Sequence, residues 1–328
     1  MKKIFFINVF TIILIIFILE ILVRTFNLAG LQGYDKNLFY IENGITLAKP
    51  NTELKIFGKY SKTDSNGFRI PKNNYFLDKN KRSTLILGDS VSFGVGVEEK
   101  HTFVGLLRGK GNNLLNASIS GHNLESYLYL LKRYNESDDI KFEKTVIILC
   151  LNDIVPFQGV ISKNSNKNQA KKKNFFEKNI NDNLATKINI FFRERSALFV
   201  FLKGLVTNPS KRHYDLMANL YDNEENIEIL KSQLSKIDNY SNISNIDVSF
   251  VLLPYAYQIN NDCNENLMKP QKEINRIFKD IKLPIFDYSK KFCNEVNKSK
   301  LFLPYDPVHL SLLGHKLVSK ILINDKIF

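Results

Sequence analysis

STLILGDS, residues 83–90, is the stretch from which the fold can be read. A run of apolar residues breaks off at Gly-Asp-Ser, as a short buried strand does when it meets a turn. TFVGLLRG (102–109) follows with helical spacing, and NNLLNASISG (112–121) reads as a second strand and turn. LESYLYLLKRYN (124–135) gathers its apolar residues on one helical face. KTVIILCLND (144–153) is the strongest strand, continuous, apolar and β-branched in its first half, as suits a strand covered on both sides. A polar Lys/Asn segment over 156–185 interrupts the pattern and is expected to be a mobile loop. KINIFFRERSALFVFLKGL (187–205) and NEENIEILKSQLSKIDNY (223–240) read as helices, so that 156–240 forms a helical insertion. The alternation then resumes with a strand in 246–255, a helix over 266–281, a strand in 283–289 and a last helix from Ser311 to Asn324. Strands alternating with helices over this length predict an α/β fold with a parallel sheet covered on both faces. In such sheets the working groups lie beyond the carboxyl ends of the strands.

Upstream of this domain, placed at 83–328, two segments differ in kind. Residues 4–23, IFFINVFTIILIIFILEILV, are followed by Arg24 and preceded by two lysines. At about 1.5 Å per residue they span roughly the 30 Å of a bilayer's hydrocarbon core. The stretch is longer than the apolar core of a signal peptide, and no small-x-small cleavage site follows it directly. Residues 1–24 are therefore expected to be an uncleaved transmembrane signal-anchor, the alternative being a removed signal peptide that leaves the domain in the same compartment. The flanking lysines keep the N-terminus inside, leaving a single-pass membrane protein with its large domain extracytoplasmic. Residues 25–82 read as a polar connector with short strands, with turns at Asn43-Gly44 and Asn66-Gly67.

The formal net charge is +13. Lysines scattered over a solvated face account for most of it, the densest run being KNSNKNQAKKK at 163–173. No zinc spacing, RNP-type strand or basic heptad helix points to nucleic acid. Of three cysteines, Cys150 ends an apolar strand and reads as a buried small hydrophobe. None stands in a CxxC pair, so a thiolate metal site is not expected; the chemistry expected below requires no metal and no cofactor. Outside the cytoplasm Cys263 and Cys293 are able to pair.

Four polar elements fall at strand ends or before the last helix. Ser90 follows the first core strand, where a turn lifts its hydroxyl from the sheet. Asp306 stands three residues before His309, a spacing that lets a carboxylate hold Nδ1–H while Nε2 takes a proton from a hydroxyl. Gly121 follows the second strand and brings a bare backbone N–H. Asn152 ends the third and brings a side-chain amide. His315, inside the last helix, reads as structural. Each motif is short, but together they supply what acyl transfer requires: nucleophile, base, orienting acid and oxyanion donors.

In that order, LILGDSVSFG, NASISGHN, CLND and YDPVHLSLLGH resemble the motifs of the SGNH, or GDSL-type, hydrolases. The resemblance covers about residues 65–155 and 245–325. It implies a flavodoxin-like three-layer α/β/α fold with a five-stranded parallel sheet. It also implies Ser90 as nucleophile, His309 as base and Asp306 as orienting acid, with Ser90, Gly121 and Asn152 forming an oxyanion hole. One departure is Cys150, which replaces a family glycine and bears on the pose of Asn152. The connector TDSNGFR and the N-terminal anchor are similar to members associated with bacterial surface polysaccharides. The expected function is a serine esterase acting on an O-acyl or O-acetyl group of a cell-surface carbohydrate or lipid. An O-acyltransferase using the same residues, and a surface-assembly or binding protein without turnover, are the alternatives.

Overall fold

A computed structural model describes residues 2–73, 77–78, 81–154 and 184–328; most of the expected polar loop over 156–185 lies outside the described residues. Five strands form the central parallel sheet: β6 (Thr84–Leu87), β7 (Leu114–Asn116), β8 (Lys144–Leu149), β9 (Asp247–Leu252) and β10 (Ile285–Asp287), in the order β10-β9-β8-β6-β7. This is the flavodoxin-like order, whose switch point lies between the first strand and the third. The ends of β6 and β8 therefore flank the crevice where such sheets bind ligands. β8 is central, and Thr145 through Leu149 are wholly buried, as their unbroken apolar run predicts.

Helix Phe103–Arg108 packs with the C-terminal helix Leu312–Asn324, and Leu124–Asn135 packs with Glu224–Ile243. These pairs form the outer layers. Their starts are capped by residues visible in the sequence: Thr102, Asn123, Asn223 and Ser311 each accept a backbone N–H of the first turn. Glu224–Ile243 buries Leu230, Leu234 and Ile237 and serves as the crossover from β8 to β9. It therefore belongs to the basic α/β unit, although the sequence pattern grouped it with the insertion. The pattern over 187–205 divides at Ser196 into helices Leu184–Arg195 and Ala197–Val206, because Ser196 turns extended and caps the second by accepting Phe199 N–H.

Residues 25–73 carry short strands. β1 (Phe39–Glu42) and β2 (Ile45–Ala48) form a hairpin closed by Asn43 and Gly44, both at positive φ, the turn that Asn-Gly favours. β3 (Glu53–Ile56), β4 (Lys59–Thr63) and β5 (Arg69–Ile70) form a second small antiparallel sheet. The β3–β4 turn is Phe57-Gly58, again with positive φ at both residues (49° and 71°), an unusual conformation for phenylalanine. In TDSNGFR, Asp64 accepts the N–H groups of Asn66 and Phe68, and Gly67 supplies φ 81°. That turn sends Phe68 and Arg69 inward, where both are about 1% exposed.

The N-terminal helix α1 (Lys2–Thr25) is long and apolar enough to cross a membrane, and only Val23 is buried. Near its end, Glu20 accepts hydrogen bonds from Ser196 Oγ, Ala197 N and Leu198 N at 2.8–2.9 Å. Glu20 thus caps a helix 177 residues further on, a contact no local pattern announces.

Cys263 and Cys293 form a disulfide with Cα atoms 6.1 Å apart, tying the loop after Ala256–Asn260 to the helix Ser289–Cys293. The bridge closes a sequence separation of 30. In the chain-entropy picture a loop of that size contributes about 3–4 kcal/mol. Replacing both cysteines by serine is expected to lower unfolding stability by about that amount, measured by denaturant titration of matched oxidised samples.

Candidate active site

Leu87 ends β6, and Asp89 adopts extended backbone and caps the one-turn helix Ser90–Phe93, its Oδ1 accepting Val91 N–H at 2.8 Å. As first residue of that turn, Ser90 has an N–H without an intrahelical acceptor. Arg69 shapes the chain that follows. Its guanidinium donates to the carbonyls of Phe93, Gly94 (2.7 Å) and Val97 (2.5 Å), and it lies 4.6 Å from the Phe93 ring centroid. Burial brings its pKa down to about 10, still far above neutrality.

His309 arrives from the loop before the last helix. Leu303 N–H donates to His309 O at 2.9 Å, and a single bridge joins Phe302 to Leu310, so the loop is pinned at the histidine and just after it. One oxygen of Asp306 accepts the N–H groups of Val308 (2.9 Å) and His309 (2.8 Å). The other lies 2.8 Å from His309 Nδ1. His309 Nε2 then lies 2.9 Å from Ser90 Oγ. Residues 219 positions apart in the chain are thus brought into hydrogen-bond contact, with Nδ1 the donor to Asp306 and Nε2 left to accept from the serine hydroxyl.

Burial disfavours a charged imidazole, but the Asp306 carboxylate outweighs it and holds the His309 pKa above its ordinary 6.5. Burial likewise works against the Asp306 carboxylate, yet the facing His309 and the two backbone N–H groups bring its pKa below the usual value. A base of this kind works only when neutral, so any reaction that passes the Ser90 proton to it should slow as pH drops, with a midpoint above 6.5. Following kcat/KM against pH alongside the imidazole NMR signals checks this; Asp306→Asn, which removes the negative charge, is expected to shift the imidazole titration downward.

Gly121 sits at φ 83°, and its N–H has no acceptor among the described residues. Asn152 is oriented otherwise than a free oxyanion donor. Its amide nitrogen donates to Asp89 Oδ2 (3.0 Å) and Asp153 Oδ1 (2.9 Å), while its carbonyl accepts from the Tyr255 hydroxyl. Burial pushes both carboxyl groups up, Asp153 farther, with Asp89 adding to the effect there. Cys150 is buried beside this cluster and donates its N–H to Asp153 Oδ2 at 2.9 Å. Asp89, Cys150 and Asp153 are close enough together to hold a metal ion geometrically. The Asn152 amide already satisfies both carboxyl groups, and burial raises the thiol pKa well above its usual value, so this donor set suits a hydrogen-bond network better than a cation. His315 is buried and accepts Phe103 N–H at Nδ1, a structural place consistent with the helix it sits in.

Two site residues escaped the sequence reading, both from the segment taken as a connector. The Phe57 ring stands edge-on to His309, centroids 5.2 Å apart, and Tyr34 stands edge-on to Phe57 at 5.1 Å. The Tyr34 hydroxyl lies near those of Ser120 and Ser90, and burial strongly disfavours its ionisation. Ser120 Oγ itself is buried without a hydrogen-bond partner among the described residues. Aromatic residues near turns are too common for either to be singled out from sequence.

No protein-family model matches the chain, and no curated protein matches it. Solved structures do. A member of the lipolytic protein G-D-S-L family from Veillonella parvula is 11% identical, with 74% of this chain and 97% of that one covered at a TM-score of 0.40. An acetylxylan esterase from Geobacillus stearothermophilus, solved as a catalytic mutant, is 15% identical, with 74% and 93% covered at 0.40. A psychrotrophic esterase from Pseudoalteromonas sp. is 15% identical, with 74% and 96% covered at 0.39. At such identities the likeness is one of fold.

Proposed function

We propose that this protein is a membrane-anchored serine esterase of SGNH type, acting on an O-acyl group of a carbohydrate or lipid outside the cytoplasm. The observation that carries the reading is the chain of contacts from Ser90 Oγ to His309 Nε2 and from Nδ1 to Asp306, both under 3 Å. His309 removes the Ser90 proton as Oγ attacks the ester carbonyl; the carbonyl π electrons move onto oxygen and His309 becomes charged against Asp306. The tetrahedral intermediate collapses as His309 returns the proton to the leaving alcohol, and water then releases the acid by the reverse sequence. Ser90 N–H and Gly121 N–H supply two oxyanion donors. Asn152 supplies a third if the oxyanion displaces one of its two carboxylate partners, and the Tyr34 hydroxyl is the alternative third. Tyr34→Phe is therefore expected to lower kcat with little change in KM, toward the roughly 100-fold typical of a lost oxyanion donor. Steady-state kinetics on a p-nitrophenyl ester reads this out.

Support for the anchor and the compartment comes from two contacts. Glu20 caps helix Ala197–Val206, an attachment that a discarded leader has no use for. The Cys263–Cys293 disulfide suits an oxidising compartment.

A second reading, acyl transfer to a sugar hydroxyl, is favoured by one feature: Ser90 and His309 are only 8% and 7% exposed, with Phe57 packed on the imidazole. A shielded site holds an acyl-enzyme away from water. A fluorophosphonate probe tests the common core: the phosphonyl adduct should map to Ser90 by mass spectrometry and disappear in Ser90→Ala. Equal labelling of the two proteins would refute both readings. Adding an oligosaccharide acceptor separates them, since transfer yields acylated sugar in place of free acid.

A further inference from the structure

We propose that the helical hairpin of residues 184–206 rests in the outer interface of the bilayer beside α1, so that the active site opens at the membrane surface. The inference rests on the reading of α1 as a membrane-spanning anchor.

The first support is depth. Glu20 precedes the end of α1 at Thr25 by five residues, about 7–8 Å along the helix axis. Because Glu20 caps Ala197 and Leu198, helix Ala197–Val206 begins at that level. Interfacial helices bury their apolar faces by about 5–10 Å, which is the same range. Arg24 fixes the junction further, pairing with Glu20 at 2.6 Å and donating to Arg195 O at 3.0 Å.

The second support is surface. Phe191, Leu202, Leu205 and Val206 are all exposed, Leu205 at 61% and Val206 at 83%. They lie on helices packed against α1 or on one another, so their apolar surface continues that of the anchor. Over 184–206 four basic residues (Lys187, Arg193, Arg195, Lys203) stand against one acidic residue, Glu194. Aromatic and aliphatic residues interspersed with cations suit an anionic lipid interface.

The third support is connection to the chemistry. Val23 and Ala29 pack with Ala197, Leu198 and Val200, and Tyr305 packs against the same cluster. Arg193 donates to Gln32 Oε1 (2.7 and 2.9 Å), and Gln32 Nε2 donates to Tyr305 O at 3.2 Å. Tyr305 immediately precedes Asp306. The hairpin is thus the floor of the loop that carries Asp306 and His309. A hairpin seated among headgroups presents the site to esters at or near the membrane, in preference to esters free in bulk water.

The test uses the full chain in vesicles of phosphatidylcholine with phosphatidylglycerol. Cys150 is buried and the other cysteines are paired, so a single new surface cysteine takes an environment-sensitive fluorophore selectively. Leu205→Cys and Val206→Cys report on the hairpin and Ile13→Cys on the anchor. Ile243→Cys, exposed at the far end of the sheet from Ser90, serves as the aqueous control. Labels at 205 and 206 are expected to lose most of their fluorescence to a nitroxide placed high on the lipid acyl chain and little to iodide, with the reverse at 243. Iodide quenching at 205 and 206 while the label at 13 is quenched by lipid would overturn the inference and leave the anchor standing. Protection from both quenchers would mean that protein covers the hairpin, and would also overturn it. A label at 13 open to iodide would defeat the anchor reading itself, and this inference with it.

Discussion

His309→Ala is expected to lower kcat/KM for a p-nitrophenyl ester by about 10⁴- to 10⁶-fold, the range found when the base of such a unit is removed. The reason is geometric. Ser90 Oγ has the imidazole Nε2 at 2.9 Å as its proton acceptor. Without it the hydroxyl stays protonated at neutral pH and attack on a carbonyl is correspondingly slow. The loss should fall mainly on kcat, because the imidazole assists the transition state more than it binds ester. The fold should survive, since the loop around position 309 is held by backbone contacts at Leu303 and Leu310 that alanine keeps. Circular dichroism and rate measurements on one preparation separate these effects. A residual rate within tenfold of the parent would show that another group takes the proton.

The second large effect is expected from Arg69→Met, which should destabilise the protein by about 3–5 kcal/mol, as when one partner is removed from a buried polar network. Arg69 satisfies three buried carbonyls, those of Phe93, Gly94 and Val97, and methionine satisfies none of them. Arg108 stays behind, donating to Arg69 O at 3.0 Å and paired with Glu99. The carbonyls affected lie at the end of the turn that begins with Ser90 and just after it, so activity should fall even where the variant remains folded. Thermal unfolding measures the first effect, and turnover well below the melting transition measures the second. A melting temperature unchanged within error would mean that the carbonyls find other donors.

What the sequence disclosed depended on how local each signal is. The strands of the central sheet were legible because a parallel strand buried on both faces needs an uninterrupted apolar run, and Val146–Leu149 has one. Helix limits at Leu124 and Leu312 were legible because Asn123 and Ser311 cap their own first turns. The convergence of Ser90, Asp306 and His309 in space was expected from the strand-end rule and the family resemblance. Asn152 shows the limit of motif reading. Its position at the end of β8 was foreseeable, but its orientation depends on Asp89 and Tyr255, 63 and 103 residues away. Tyr34, Phe57 and the Glu20 cap were illegible for the same reason: each acts on a partner far along the chain and carries no local periodicity.

The β3–β4 turn sets backbone strain against side-chain packing within one residue. A left-handed backbone costs an ordinary residue roughly 1–2 kcal/mol, which asparagine or glycine largely avoids. Phenylalanine at position 57 bears that penalty and in return lays its ring on His309. Because the same ring is buried among Leu38, Ile56 and Phe93, where truncating a phenylalanine costs about 3–5 kcal/mol, Asn at this codon should give a protein both less stable and slower. Selection for heat resistance and selection for turnover should therefore both retain the aromatic ring.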